Sequence, residues 1–441
     1  MSFARAGAVY AVANVASAFL PFLLLPLLTR VLDPAEFARV VAFALLVTLS
    51  GTAAGLNVHG AMGMIWFRKP AEEVPSYLGA ALVVITLTTA AVAGLVALIL
   101  AWAPALGAGL SPHWGAAAAL TAGANILVQT RLVLWQSQNR PLISAAVQFG
   151  GSAVNFALSL VGVLLLSLEA AGRNGGIVLA GVLTALLCVA TFVAGRGLNL
   201  GFRRDHVTIL IGFGAPLVVH TMGAVLLSTA DRWAVSIRLD AAALGVYGAA
   251  AQLGLLMSLV GDAFVKAFSP WLYGKLKGAT DQDRLFAVGA VYGSIPAFLI
   301  IAVIVGLGLV VASGFVLGPQ YRQATGILPW FTAGGAMTGV YLCTSGLYFY
   351  HARTGLLASV SLSAGVLGAA CTWWLVSRFG LVGAAAGYAL TQAFLACAST
   401  VVAMRTFDLP WSRPAAALST WTTSLIAPLR THLSKQRNPI Q

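Results

Sequence analysis

Charge is what this sequence has least of. Of its 441 residues only 8% are charged, against 59% hydrophobic, a balance that excludes an ordinary water-soluble globular domain. Acidic side chains are the scarcest, 12 against 25 Lys and Arg. Cysteine is rare as well. Cys188, Cys343, Cys371 and Cys397 are scattered through apolar stretches without metal-ligand spacing, so small buried hydrophobes are expected rather than a redox or metal site. No phosphate-binding loop of the G-x-x-x-x-G-K-[ST] type occurs, which removes ATP as a direct energy source. No catalytic carboxylate pair or nucleophile set stands out, and no cofactor is called for. The expectation is a protein that is not an enzyme.

What is present is a rhythm of apolar stretches, each near the ~20 residues that a spanning helix needs. Twelve are expected, near 8–30, 38–66, 76–102, 113–137, 141–168, 175–195, 207–230, 241–265, 286–312, 325–350, 355–376 and 381–403. The first is too long for the apolar core of a signal peptide and reads as a span. The net charge of +13 suggests nucleic acid, but its distribution argues against that partner. With the N-terminus placed in the cytoplasm, seventeen Lys and Arg fall on the inner side and seven on the outer, with Arg131 inside a span. Cationic loops resist translocation, so the basic balance encodes topology and puts both termini in the cytoplasm.

The spans divide into two halves of similar plan. Thr29-Arg30-Val31-Leu32-Asp33-Pro34-Ala35-Glu36 closes the first and opens the second, with Asp33 as N-cap, Pro34 at N1 and Glu36 at N3 of a capping box. Arg238-Leu239-Asp240-Ala241 does the same after the seventh, with Asp240 as cap. Gln138-Asn139-Arg140-Pro141 opens the fifth span as His351-Ala352-Arg353-Thr354 opens the eleventh. The turns Arg173-Asn174-Gly175-Gly176 and Arg378-Phe379-Gly380-Leu381 are read as leading into the sixth and twelfth. The fold class that follows is an all-α integral membrane protein of about twelve transmembrane helices, in two six-helix bundles related by a pseudo-two-fold parallel repeat. The expected domains are 1–200, 201–404 and a basic cytoplasmic tail, 405–441, with a short interfacial helix.

The segment Leu25-Pro26-Leu27-Leu28-Thr29-Arg30-Val31-Leu32-Asp33-Pro34-Ala35-Glu36-Phe37 resembles the first-loop signature of bacterial polysaccharide exporters. Ser377-Arg378-Phe379-Gly380-Leu381-Val382-Gly383-Ala384-Ala385 resembles their eleventh-to-twelfth segment. These are the O-antigen and lipid-linked oligosaccharide flippases of the multidrug/oligosaccharidyl-lipid/polysaccharide exporter superfamily. Phe37-Ala38 stands where a Tyr-Gly or Phe-Gly pair is more usual. The resemblance covers roughly 5–404 and implies translocation of an undecaprenyl-pyrophosphate-linked repeat unit across the bacterial inner membrane. It also implies a polysaccharide polymerase and glycosyltransferases as partners, besides membrane lipids. A drug/cation antiporter and a lipid II flippase of the same fold stay open, although twelve spans suit the fourteen-span lipid II flippases less well.

Ionisable and amide groups inside spans are the site candidates. Arg131 is suited to a bidentate grip on pyrophosphate, or alternatively snorkels to the headgroups. Asn14, Asn57, His59 and His220 come from the first two helices of each bundle, which the resemblance places on a central cavity; hydrogen-bonded packing is their other reading. Together these five are the expected substrate-binding set. Arg30 and Arg232 are expected at an outer gate or as interfacial anchors, and Asp262 with Lys266 as an i,i+4 ion pair or a proton site. Gln148 and Asn155 are expected to hold helices together, and Pro21, Pro26, Pro216, Pro296 and Pro329 to interrupt theirs. The rival from another class is a membrane-embedded polysaccharide biosynthesis enzyme. Asp281-Gln282-Asp283 matches a metal-nucleotide motif, but in a loop too short for a nucleotide-binding domain, so a solvated loop is expected there.

Overall fold

The computed structural model describes residues 3–195, 198–199, 201, 203–278 and 280–423. Helices fill nearly all of them and no strand occurs among them. In chain order they are α1 (Phe3–Val31), α2 (Pro34–Ala53), α3 (Val58–Arg68), α4 (Val74–Trp102), α5 (Pro112–Ser137) and α6 (Pro141–Leu160). There follow α7 (Glu169–Ala194), α8 (Arg204–Arg238), α9 (Ala241–Gly278), α10 (Asp281–Val316), α11 (Gln323–Tyr350), α12 (Thr354–Thr406) and α13 (414–423). Among the described residues, ten helical stretches are long and apolar enough to cross a membrane, α2 and α3 counting as one. Adding α11, and counting separately the two arms into which Gly380 (φ 57, ψ −133) bends α12, gives the twelve spans expected. The protein is a multi-pass membrane protein. Its outward faces are apolar, as on α10, where Ile300, Val303, Ile304, Leu307 and Val311 form one exposed stripe.

The local signals act as their chemistry dictates. Asp33 accepts the Glu36 N–H at 2.8 Å, Pro34 occupies N1, and Asp240 accepts the Ala243 N–H at 2.7 Å. Glu36 completes no capping box, because its carboxylate pairs with Arg39 and accepts the Ala170 N–H at 3.3 Å instead. Asp33→Ala is expected to cost about 1 kcal/mol by stranding that N–H, measured as a lowered thermal midpoint in detergent. Asp281-Gln282-Asp283 is not a loop. It forms the first turn of α10, where Thr280 and Asp283 cap each other and Lys275 lies 3.2 Å from the Asp283 carboxylate.

The repeat is visible in backbone bonds. At the α5–α6 turn the N–H groups of Gln138, Asn139 and Arg140 donate to Leu134, Gln136 and Trp135; at the α11–α12 turn those of His351, Ala352 and Arg353 donate to Leu347, Phe349 and Tyr348. Asn139 (φ 56) and Ala352 (φ 54) take the same left-handed conformation. The sixth-to-twelfth correspondence needs a correction. Arg173–Gly176 lies inside α7, and the turn falls earlier, with Ser167 and Glu169 at positive φ. The left-handed counterparts are therefore Glu169 and Gly380, each followed three residues later by a glycine against backbone. A Cβ on Gly172 would lie 2.5 Å from Gly162, and one on Gly383 would meet the Leu375 carbonyl.

The prolines do not interrupt their helices. Pro21, Pro26, Pro216, Pro296 and Pro329 all lie inside continuous ones. Within the described residues the chain packs as two compact units. One runs to Ala249 and includes Ser313–Ala324; the other takes Ala250–Ala312 and everything from Thr325. In the first, α4, α5 and α3 enclose a core of Met62, Tyr77, Ala81 and Leu134, to which α8 adds Leu210. In the second, Phe298, Val340, Tyr348 and Phe407 form the core, with Trp421 packed against it. The tail helix is not free. Gly289 and Gly293 of α10 leave space for the Ala417 carbonyl and the Trp421 ring, a small-xxx-small seam, and the Tyr292 hydroxyl donates to the Trp411 carbonyl at 2.9 Å. The rest of the helix expected there, from 424 on, lies outside the described residues.

Candidate functional site

The second span is broken at its centre. After Ala53 the chain passes through Gly55 (φ 71), Leu56 (φ 44) and Asn57 (φ 53), three successive left-handed residues, before α3 begins. Glycine takes this conformation freely and asparagine tolerates it, while leucine pays roughly 1–2 kcal/mol. Two close approaches hold the break. A Cβ on Gly55 would come 2.5 Å from Ile126 Cγ2 of α5, and one on Gly214 of α8 would meet the Leu56 carbonyl oxygen. The freed Gly55 N–H donates to Thr88 Oγ1 at 2.8 Å. Asn57 Nδ2 and His59 Nδ1 are buried without a partner. Irregular backbone at membrane depth is tolerated where it lines a cavity or is covered by protein, and orphaned polar atoms beside it mark a place for a ligand or water.

Arg131 is engaged on α7. Its Nε donates to Thr191 Oγ1 at 2.9 Å, and the guanidinium lies 4.4 Å from the ring centroids of both Trp135 and Phe192. No carboxylate pairs with it among the described residues. Stacking between two rings holds its charge without an acid. Asn14 is bonded to α6, its Oδ1 accepting Gln148 Nε2 at 2.6 Å. His220 lies on α8, but its side chain is outside what the structure describes. Arg30 donates to the Pro26 carbonyl at 2.8 Å and to that of Phe315. Arg232 lies 3.7 Å from the Asp231 carboxylate, which also accepts the Tyr247 hydroxyl at 2.7 Å. Arg30 and Arg232 share no partner among the described residues. Asp262 and Lys266 form the expected i,i+4 pair, 2.6 Å apart and both exposed.

Sequence reasoning missed Arg173. Counted among the outer-loop cations, it is buried in α7, where Nη1 donates to Asn155 Oδ1 and to Ser159 Oγ of α6, each at 2.6 Å. Among the described residues no carboxylate accompanies it either. The signal available was Gly172-x-x-x-Gly176, a small-residue seam that brings α7 onto α6; a Cβ on Gly176 would meet Ser159. Beside this contact lies a partly open cavity of about 210 Å³ between α5, α6 and α7. Asn125, Gln129, Gln148, Ser152, Asn155 and Thr184 supply its polar lining. The fourth span contributes Asn125 and Gln129 to this polar cavity, and Arg131 is not in its lining.

A family model described as "Polysaccharide biosynthesis protein" matches residues 3–273. The Lsg locus putative protein 1 of Haemophilus influenzae is 25% identical over 156 residues, 35% of this chain and 38% of its own length. Among solved structures, a lipid II flippase MurJ in an inward closed conformation superposes with a TM-score of 0.71 at 15% identity, covering 96% of this chain and 92% of that one. An inward-facing multidrug resistance MATE family transporter superposes with a TM-score of 0.59 at 13% identity, over 92% and 95%. At the level of fold, twelve spans thus do not separate this chain from a lipid II flippase, contrary to expectation. By its sequence over more than half its length, the chain belongs to the polysaccharide biosynthesis protein family.

Proposed function

We propose that this protein flips an undecaprenyl-pyrophosphate-linked oligosaccharide across the bacterial inner membrane by alternating access, as a step in surface polysaccharide biosynthesis. Both termini are cytoplasmic in this reading, and the working bundles are 1–200 and 201–404, with 405–441 as the tail. Polysaccharide polymerases and glycosyltransferases are its partners; the chain itself is a transporter and not an enzyme. The observation that carries the reading is a charge imbalance inside the spans. Arg131 and Arg173 lie there without a carboxylate among the described residues, while Asp231 and Asp262 are each already held by a cation or a hydroxyl. Uncompensated positive charge in a low-dielectric interior favours an anionic cargo and opposes the cationic cargo of a drug antiporter. Arg131 is assigned to the pyrophosphate, and Asn14, Asn57, His59 and His220 to the cavity wall. Arg30 and Arg232, with Asp262 and Lys266, are assigned to the ends where gates form.

Deleting the gene in its host is expected to leave complete, unpolymerised lipid-linked units on the inner leaflet and to remove surface glycan. Extraction of undecaprenyl-linked intermediates from wild-type and deletion cells measures this. Normal glycan with altered drug or cation sensitivity would transfer the chain to the antiporter reading.

A further inference from the structure

We infer that the cavity between α5, α6 and α7 is a subsite for one uncharged, hydroxyl-bearing sugar ring of the cargo, an assignment that rests on the flippase reading. Its polar lining is Asn125, Gln129, Gln148, Ser152, Asn155 and Thr184, and none of these ionises. Neutral donors and acceptors fixed at several angles match hydroxyls, which both give and take a hydrogen bond. They offer a pyrophosphate no charge-assisted contact. The size agrees: about 210 Å³ holds roughly seven waters at ~30 Å³ each, enough for one ring and too little for a whole oligosaccharide.

The amides are also oriented. Gln148 gives one Nε2 hydrogen to Asn14, which fixes the amide and leaves Oε1 and the second N–H to offer. Asn155 does the reverse. Its Oδ1 takes the Arg173 guanidinium, so Nδ2 is the donor left for the cavity. Thr184 donates its proton to the Ala180 carbonyl at 2.7 Å and presents lone pairs. Asn125 and Gln129, four residues apart on α5, face the same space with no protein partner among the described residues. Unpaired amides are costly against lipid, so their stable position is toward water or a ligand in the cavity. Arg173 is thus a positioning residue. It lies outside the lining and acts through the Asn155 amide, and its charge keeps cationic ligands out.

The test compares two probes on the full chain in nanodiscs: bare undecaprenyl pyrophosphate and the same lipid carrying one neutral hexose. The wild type is expected to bind the hexose-bearing lipid about tenfold tighter, the increment of a few neutral hydrogen bonds formed against competing water. Gln129→Leu and Asn125→Leu, which remove no hydrogen bond to protein among the described residues, are expected to lose that factor and keep the affinity for the bare lipid. Equal binding of both probes to the wild type overturns the subsite while leaving the flippase reading standing. So does a tenfold preference that survives Gln129→Leu. Binding of neither probe overturns both the subsite and the flippase reading.

Discussion

Gly55→Val is expected to abolish transport while the control Gly51→Val, one turn earlier on the same span, leaves it intact. Two independent penalties meet at Gly55. A β-branched residue at φ 71 costs roughly 1–2 kcal/mol for the left-handed conformation alone. The added carbon would also stand 2.5 Å from Ile126 Cγ2, and overpacking of this kind costs about 1–3 kcal/mol. A new Cβ at Gly51 meets nothing within 4 Å. Against a total stability of roughly 5–15 kcal/mol, the sum at Gly55 is enough to favour a continuous helix over the break. Straightening would be fatal to the site, because each residue of register turns a side chain by about 100°, and Asn57 and His59 would no longer face where they do. Surface-glycan complementation of a deletion strain, with thermal unfolding of the purified variants, measures both effects. Full complementation by Gly55→Val would show that the break is not needed for transport.

Arg173→Met is expected to separate stability from function. Burying a cation without an acid costs several kcal/mol per ion, and two hydrogen bonds from a charged donor return about 1.5–3 kcal/mol each. An unbranched apolar side chain fills most of the same space, so the thermal midpoint should move by no more than a few degrees. Arg173→Ala leaves that space empty and should be worse by about 2–4 kcal/mol. Transport should fall about tenfold in Arg173→Met, because the Asn155 amide, whose Oδ1 now accepts from Nη1 at 2.6 Å, is then held only by the longer 3.2 Å bond from the Ser159 hydroxyl. A purely structural arginine would behave differently. Its loss would change binding of bare and hexose-bearing lipid equally, whereas a positioning residue loses only the sugar increment. A wild-type transport rate in the folded Arg173→Met variant would remove the positioning role.

Much of the fold was legible because the bilayer imposes length and apolarity locally. The stretches expected at 76–102 and 113–137 are Val74–Trp102 and Pro112–Ser137. Asp33 and Asp240 were readable as caps because a cap needs only a carboxylate three residues before an N–H. Arg173 misled for the same local reason: an arginine followed by Asn-Gly-Gly looks like a turn. Its burial depends on glycines at 162, 172 and 176 letting α7 approach α6; Gly172-x-x-x-Gly176 marks a seam in the sequence, but not the helix that packs on it. The prolines misled too, since the discontinuities fall at Gly55–Asn57 and Gly380, where positive φ is required.

The sequence by itself determined the number of spans, the caps at Asp33 and Asp240, the outline of the internal repeat and the class of protein, because each follows from hydrogen bonds and transfer energies within one segment. The tertiary structure alone decided which polar groups meet: Arg131 with Trp135 and Phe192, Arg173 with Asn155, Gln148 with Asn14, and α13 with the glycine seam of α10. In a membrane both the lipid and the neighbouring helix are apolar, so no hydrophobic stripe marks the face that packs. Contacts between helices are then chosen by close fit and by the few polar side chains, and that choice exists only once the helices are side by side.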